Sequence, residues 1–511
     1  MIPGNKKNIQ KLLLLLTVSF IAITGCKKSF LDVSPQGALT DEAAAHDPNI
    51  ARKLVTGVYN KLYQGGFDDD VHGIIFCMAG DVASDDADKG STALDQAPEA
   101  VGFDNFTSDL NANNFYVARL WAGHYKGIAA ANGALDVLSR STFDHVTTRT
   151  LIGEVKFLRA YFYFNLVRLF GDVPRVLRVP SGPVDANSDE FVTRAPKDSV
   201  YAAIINDLQY ASDSLPSKGD PTTEVGRANK GAAQSLLAKV YLYQKNYQKA
   251  YDLSQAVINS NKYVLVDDYS KNFRSKQYDN NSESIFEIGT GTNVDCNAAI
   301  PFYVVAQGPR TGGLGGWADL GFGLNNPSQD LVNAYEPGDK RDSITIIYIG
   351  PDSTVLWDGF VIPGRTHVQN DRYNYKAYFG RKVDTYCASN NTDHLPKNVH
   401  IMRYAELLLI NAEAGINIGN VGDALTDLTL VRQRAGLLPV AATIDNVWKE
   451  RRVELAMEQD RFFDIVRQGR AGILLRALGK TFVDGKNEVF PIPQAQIDLS
   501  GGKLTQNNGY F

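Results

Sequence analysis

Cysteine is scarce: four occur in 511 residues, at positions 26, 77, 296 and 387, and no two are close enough to form a CxxC pair. That excludes a zinc knuckle and leaves no readable disulfide framework. Histidine is equally thin. The seven present form no HxxH or HExxH pair, and Pro396 separates His394 from His400, so a histidine-held zinc site is not expected. An excess of positive charge is also missing. Lysine plus arginine number 52 against 57 aspartate plus glutamate, a formal charge of −5 without any basic block, which argues against a nucleic-acid partner. Nucleophile elbows and phosphate loops are absent. Gly313-Leu-Gly315-Gly-Trp-Ala318 has the spacing of a dinucleotide turn, but no helix follows it and no βαβ unit surrounds it. No resident cofactor or metal is expected.

Long apolar runs are confined to the amino terminus. Lys6, Lys7 and Lys11 precede Leu12 through Ile23, a run too short to span a bilayer, and Ile23-Thr24-Gly25-Cys26 has the form of a bacterial lipobox. Residues 1–25 are therefore expected to be a lipoprotein signal peptide, cut before an acylated Cys26. Loss of its three lysines takes the charge from −5 to −8 and leaves a soluble body tethered by lipid.

What is plentiful is helical periodicity, in a chain that is 44% apolar. Val155, Leu158, Phe162, Leu166 and Leu169 make one stripe of a helix and Phe157, Tyr161, Phe164 and Val167 a second beside it. A helix apolar on two faces must be covered on two sides, and Gly171 and Pro174 stop it. Helices are also expected from about Pro48 to Leu62, from Phe115 to Leu138, and between Pro196 and Pro216. In Asn229–Asn261, Ala238, Tyr241, Ala250 and Val257 are spaced by 3, 9 and 7, with Asn246-Tyr247 as the turn, which matches a tetratricopeptide hairpin. Ala405–Ala435 is a weaker copy in which Ala412, Ala424 and Val431 repeat the 12 and 7 spacing while Gly415 replaces the aromatic.

Two stretches break the pattern. Gly65–Asn114 reads as an acidic, glycine-bearing loop region, with Asp68, Asp69, Asp70, Asp81, Asp85, Asp86 and Asp88 as a solvated cluster that fails calcium-loop spacing. Val266–Val399 is dense in glycine, proline, asparagine and tyrosine, with strands expected only at Ser284–Ile288 and Ile344–Ile349. So long an irregular stretch points to function. Rings on loops suit stacking on sugars or peptides, so Trp317, Tyr303, Trp357 and Tyr375 are the candidate ligand contacts, joined by Phe67 and Asp86, with Asp319, Asn325 and Asn326 for hydroxyls. Glu450, Glu454 and Glu458 offer carboxylates to a glycosidase, but they share a helical face with arginines and read as an ion-paired network, which lowers their pKa values.

Several of these segments together resemble one family. Phe30-Leu-Asp32 after the lipobox, Trp121 with Tyr125-Lys-Gly-Ile-Ala-Ala-Ala-Asn132, Glu154 with Phe157-Leu-Arg-Ala160, Phe170-Gly-Asp-Val-Pro174 and Gly226-Arg-Ala228 resemble the SusD/RagB family. So do Arg403, Glu406, Ala412-Glu-Ala414, Arg432-Gln-Arg-Ala-Gly436, Glu450-Arg-Arg-Val-Glu-Leu455, Ile492-Pro493, Gln506-Asn507 and Gly509-Tyr510. Gln459 and Phe462 depart from it, standing where glycine and tryptophan are expected. The resemblance implies a mostly α fold, with tetratricopeptide-like hairpins as a scaffold (about 30–64, 115–265 and 400–511) and a loop-rich, partly β ligand-facing half (about 266–399 with 65–114). It also implies an outer-membrane, surface-exposed lipoprotein without catalysis, which captures nutrient oligomers, commonly oligosaccharides, for a SusC-like TonB-dependent transporter. Peptide capture on the RagB pattern, glycoside hydrolysis and a purely structural adhesin are the competing readings.

Overall fold

The structure, a computed structural model, describes residues 41–510 apart from 94, 96–97, 291–298, 311–320 and 385–393. The expected signal segment, Cys26, and Trp317 with the whole Gly313–Ala318 turn and Asp319 lie outside the described residues.

Many helices begin where a short polar side chain takes up free backbone donors. Asp47, Asn114 and Asp144 cap α1 (Pro48–Tyr59), α2 (Phe115–Ser139) and α3 (His145–Phe170). After α4 (Lys197–Ser214), Asn229 and Asn246 cap α5 (Lys230–Tyr243) and α6 (Tyr247–Asn259). Then follow α7 (Tyr404–Ile418), α8 (Val421–Arg434) and α9 (Ile444–Leu455). α3 is the inner helix its two stripes require: every residue from Phe157 to Phe170 is buried, with α2 and α4 on two sides and α1 on a third. Each of its large apolar side chains contributes about 1.5–3 kcal/mol on burial.

From α4 to α8 each helix packs on the next, so both expected hairpins, α5–α6 and α7–α8, are present. Ala238, Ala250, Ala412 and Ala424 are fully buried, and small side chains of this kind let helix backbones approach closely. Asn411 of α7 accepts from the Ser254 hydroxyl of α6 at 2.8 Å and donates to Asp427 of α8 at 2.6 Å, which ties three helices together.

Among the described residues the strands form antiparallel pairs. β1 (Ala87–Gly90) pairs with β3 (Leu324–Pro327), and β2 (Ser284–Ile288) with β8 (Val399–Arg403). β4 (Ile346–Tyr348) pairs with β7 (Arg372–Asn374), and β5 (Ser353–Val355) with β6 (Val361–Pro363). The second expected strand is shortened, because Asp342–Thr345 closes a helical turn before it.

The Gly65–Asn114 reading needs correction. Residues 70–87 are buried without interruption and run through a helical turn (Ile74–Cys77), a π turn (Met78–Val82) and β1. Asp70, Asp81, Asp85 and Asp86 are inside the protein, not in solvent. Val71, Ile74, Ile75, Phe76, Met78 and Val82 pull the segment into the main core. The carboxylates follow because distant partners satisfy them: Arg461 takes Asp85 at 2.7 Å and Arg452 takes Asp86 at 2.7 Å. Gln459 adopts φ 66°, which explains the expectation of glycine there. Its carboxamide compensates by bonding the His72 ring at 2.9 Å and the His72 carbonyl at 3.1 Å.

Scaffold and loop-rich half meet in a buried ionic network. Arg403 donates to Glu283 at 2.6 Å, to Glu454 at 2.9 Å and to Glu458 at 2.7 Å. Removing one member strands the others as uncompensated buried charges. Arg403→Ala is therefore expected to destabilise the fold by about 3–5 kcal/mol in urea denaturation; a loss under 1 kcal/mol would show that the network is not a support. Burial pushes the Glu458 carboxyl up, but Arg403 and Lys376 together bring it down to about 2, from an ordinary 4.5. A depressed folded pKa gives stability that is full above 4.5 and is lost as pH falls toward 2, on the order of 3 kcal/mol. Melting temperatures measured from pH 6 to 2.5 should fall through this window, and Glu458→Gln should flatten the slope.

Candidate functional site

The segment 64–73 is set by its own acid. The Asp70 carboxylate accepts from the backbone N–H groups of Gly73 at 2.9 Å, Ile75 at 3.1 Å and Phe76 at 3.2 Å, capping the short helical turn that follows. Burial pushes this carboxyl up to about 8 despite those three donors. Asp69 beside it pairs with Lys126. The loop then lies flat on residues 300–302. A Cβ on Gly66, which has φ 81°, would sit 2.7 Å from the Phe302 ring, and one on Gly73 would sit 2.6 Å from the Gly65 Cα. Only glycine allows both that φ and that approach.

This geometry gathers three rings. Phe67 lies 5.5 Å from Phe302 and 6.5 Å from Phe322, and Phe302 lies 5.8 Å from Phe322, between centroids. Phe67 and Phe302 are half-buried and Phe322 is buried, so the cluster is rooted in the core and presents ring surface outward. Each pair adds about 0.5–1.5 kcal/mol beyond area burial. Phe67 and Phe302 offer apolar ring surface for stacking, with Phe322 beneath them and Asp68 exposed beside them.

Of the residues expected from sequence, Phe67 is in this patch. Tyr303, next to Phe302, is buried, and burial raises its phenol far above the usual range. Asp86 is fully buried and occupied by Arg452, so it does not offer an acceptor to a ligand. Asn325 and Asn326 are buried as well; Asn325 donates to Asp81 at 3.0 Å and to Gln307 at 2.9 Å. Trp357 and Tyr375 come together, but in a second small core with Ile347, Leu356, Ile362, Val368, Tyr373 and Tyr378. There the Tyr375 hydroxyl accepts from the Trp357 backbone N–H at 2.7 Å, and the Arg274 guanidinium lies 3.6 Å from the Tyr375 ring centroid. Among the described residues the structure thus does not bring the expected set into one site. Sequence reasoning missed Phe302 and Phe322; the available signal was a ring directly after Pro301 and a ring bracketed by Gly321 and Gly323.

The glutamates of α9 and its extension are occupied. Glu450 accepts from Arg341 at 2.6 Å and Arg432 at 2.8 Å, and Glu454 from Arg434 at 2.6 Å. Burial raises Glu454, yet Arg434, Arg403 and Arg341 outweigh it and hold its carboxyl well below the usual range. The ion pairing is the one expected from the spacing, and the lowered pKa holds for Glu454 and Glu458 but not for Glu450, whose carboxyl burial pushes up in spite of Arg341 and Arg432. Among the described residues no group of histidine, cysteine, aspartate and glutamate is placed to hold a metal.

Fold and patch together define a helical-hairpin scaffold protein with a loop-borne aromatic surface. Residues 29–242 match the family model described as starch-binding associating with outer membrane, and residues 273–510 match that of the SusD family; the chain belongs to the SusD/RagB family. SusD-like protein P2 of Formosa agariphila is 26% identical, over 96% of this chain and 98% of its own length. Starch-binding protein SusD of Bacteroides thetaiotaomicron is 26% identical over 70% of this chain and 72% of its own. The solved structure of a laminarin binding SusD-like protein is 29% identical, covers 90% of this chain and 99% of that one, and superposes with a TM-score of 0.75.

Replacing Gly66 by valine should cost about 2 kcal/mol or more, from the left-handed backbone and the collision with Phe302. Urea denaturation checks this. An unchanged midpoint would mean that the loop does not rest on the ring.

Proposed function

We propose that this protein is a surface lipoprotein that captures carbohydrate oligomers and delivers them, uncleaved, to a SusC-like TonB-dependent transporter in the outer membrane, to which Cys26 tethers it. The observation that carries the reading is the similarity along 90% of the chain to a laminarin-binding protein at 29% identity. The Phe67–Phe302–Phe322 patch supports it, since apolar ring faces match the C–H faces of pyranose rings. Glu454 and Glu458, held deprotonated by arginine and lysine, support capture over cleavage, because a general acid must hold a proton near neutral pH.

Titration calorimetry of the mature chain against laminarihexaose, maltohexaose and a peptide mixture tests this reading. Saturable heat from an oligosaccharide is expected, weakened about tenfold in Phe302→Ala, with chain length unchanged after long incubation. Trp317→Ala belongs in the same series, and unchanged affinity would exclude it as an anchor. Heat from peptides alone would replace the reading with peptide capture, and shortened oligosaccharides would overturn the absence of catalysis.

A further inference from the structure

Four residues before Phe67, Tyr63 forms one wall of a different cleft, of about 650 Å³, between the end of α1, the 224–227 loop, the 276–280 turn and β2. A smaller recess of about 210 Å³ shares its Arg227, Asn280 and Phe286 lining. None of the Phe67, Phe302 and Phe322 rings lines either space.

The charged groups in the larger cleft are engaged by protein partners, Glu287 by neutral donors and the His400 ring at 3.2 Å. Lys276 pairs with Asp279 at 3.0 Å, and Arg227 with Glu154 at 2.7 Å and Glu224 at 2.9 Å. Glu287 accepts from the Asn398 carboxamide at 2.8 Å and the Ser284 hydroxyl at 3.0 Å. A ligand is therefore not called in by an unpaired charge. Three carboxamides remain: Asn60, Gln277 and Asn280 line the cleft, and none of their side chains bonds another protein group among the described residues. Each presents a donor and an acceptor side by side, the pattern that pairs with neighbouring hydroxyls. Three rings accompany them, and the first, Tyr59, donates its hydroxyl to Glu154 at 2.7 Å. The Tyr63 hydroxyl is anchored on the Gly289 carbonyl, and Phe286 is pinned edge-on against Phe157 at 4.9 Å. Engaged charge, unengaged carboxamides and fixed rings in a volume typical of ligand pockets are the chemistry of a site for uncharged polyols.

We propose that this cleft is a second carbohydrate subsite, separate from the Phe302 patch, that takes part of an uncharged oligosaccharide. The proposal rests on the carbohydrate-capture reading. Asn60 and Gln277 are exposed, so Asn60→Ala with Gln277→Ala should leave the melting temperature unchanged. Calorimetry with laminarihexaose and maltohexaose, alongside oligogalacturonate, is expected to show an uncharged hexaose binding about tenfold more weakly to this double variant. Crystals grown with that hexaose should show sugar within hydrogen-bond distance of Asn60, Gln277 or Asn280. Unchanged affinity in the double variant, with loss in Phe302→Ala, would overturn the cleft and leave the capture reading standing. Binding of oligogalacturonate alone would overturn the uncharged ligand, and silence from every oligosaccharide would overturn both.

Discussion

The carboxylate of Glu454 is fully buried, and three guanidinium groups meet it: Arg341 at 3.0 Å, Arg403 at 2.9 Å and Arg434 at 2.6 Å. Each ion costs several kcal/mol to bring out of water, and only close, well-directed pairing offsets that. The partners come to α9, which carries Glu454, from three places: the turn before β4, the end of β8 and the end of α8. Glu283 is shared by Arg403 and Arg434, and Glu450 by Arg341 and Arg432, so the pairs are coupled. A misplaced segment would leave a buried charge unmatched. The network thereby fixes how the loop-rich half sits on the helices.

The same arrangement supports the ring patch. Arg452 and Arg461, flanking the Glu454 turn, reach outward to Asp86 and Asp85 and hold the buried 70–87 segment. Asp81 accepts from the Gln459 backbone at 2.8 Å, which brings that segment against the same turn. Burial pushes Asp81 up to about 7 even so. His72 lies between Tyr161 of α3 and Gln459, and burial drives its imidazole down to about 3, so it serves as a neutral hydrogen-bonding spacer. Phe67 thus projects from a segment whose base is rigid, and a rigid ring loses little freedom when a ligand covers it.

The sequence made the helices legible because their signals are local. Two apolar stripes marked α3, and the 3, 9 and 7 spacing from Ala238 fell on the α5–α6 hairpin. The 65–114 region was misread for the opposite reason. Asp85 and Asp86 resemble solvated acids until Arg461 and Arg452 arrive from more than 360 residues away, and no local pattern announces that. Loop aromatics suffer the same ambiguity. Tyr375 and Trp357 lie in irregular chain, yet the short β4–β7 and β5–β6 pairs fold over them and make a second core. Phe302 and Phe322 depend on a left-handed turn at Phe302 and on Gly66 passing beneath it. Neither relation is written within a few residues of the rings.

A division of labour follows from where the charge sits. Among the described residues many arginines and acids are matched in pairs inside or beside the core, and the ring patch and the neighbouring cleft carry rings and carboxamides. Recognition built from such groups works at contact range, through ring faces and hydroxyl-directed hydrogen bonds, because neither acts over a Debye length as a net charge does. On the carbohydrate reading this suits a ligand that has no charge with which to be steered. Affinity then depends on how well the rings are pre-positioned, and that positioning returns to the buried ions, which hold the loops without appearing at the surface the ligand meets.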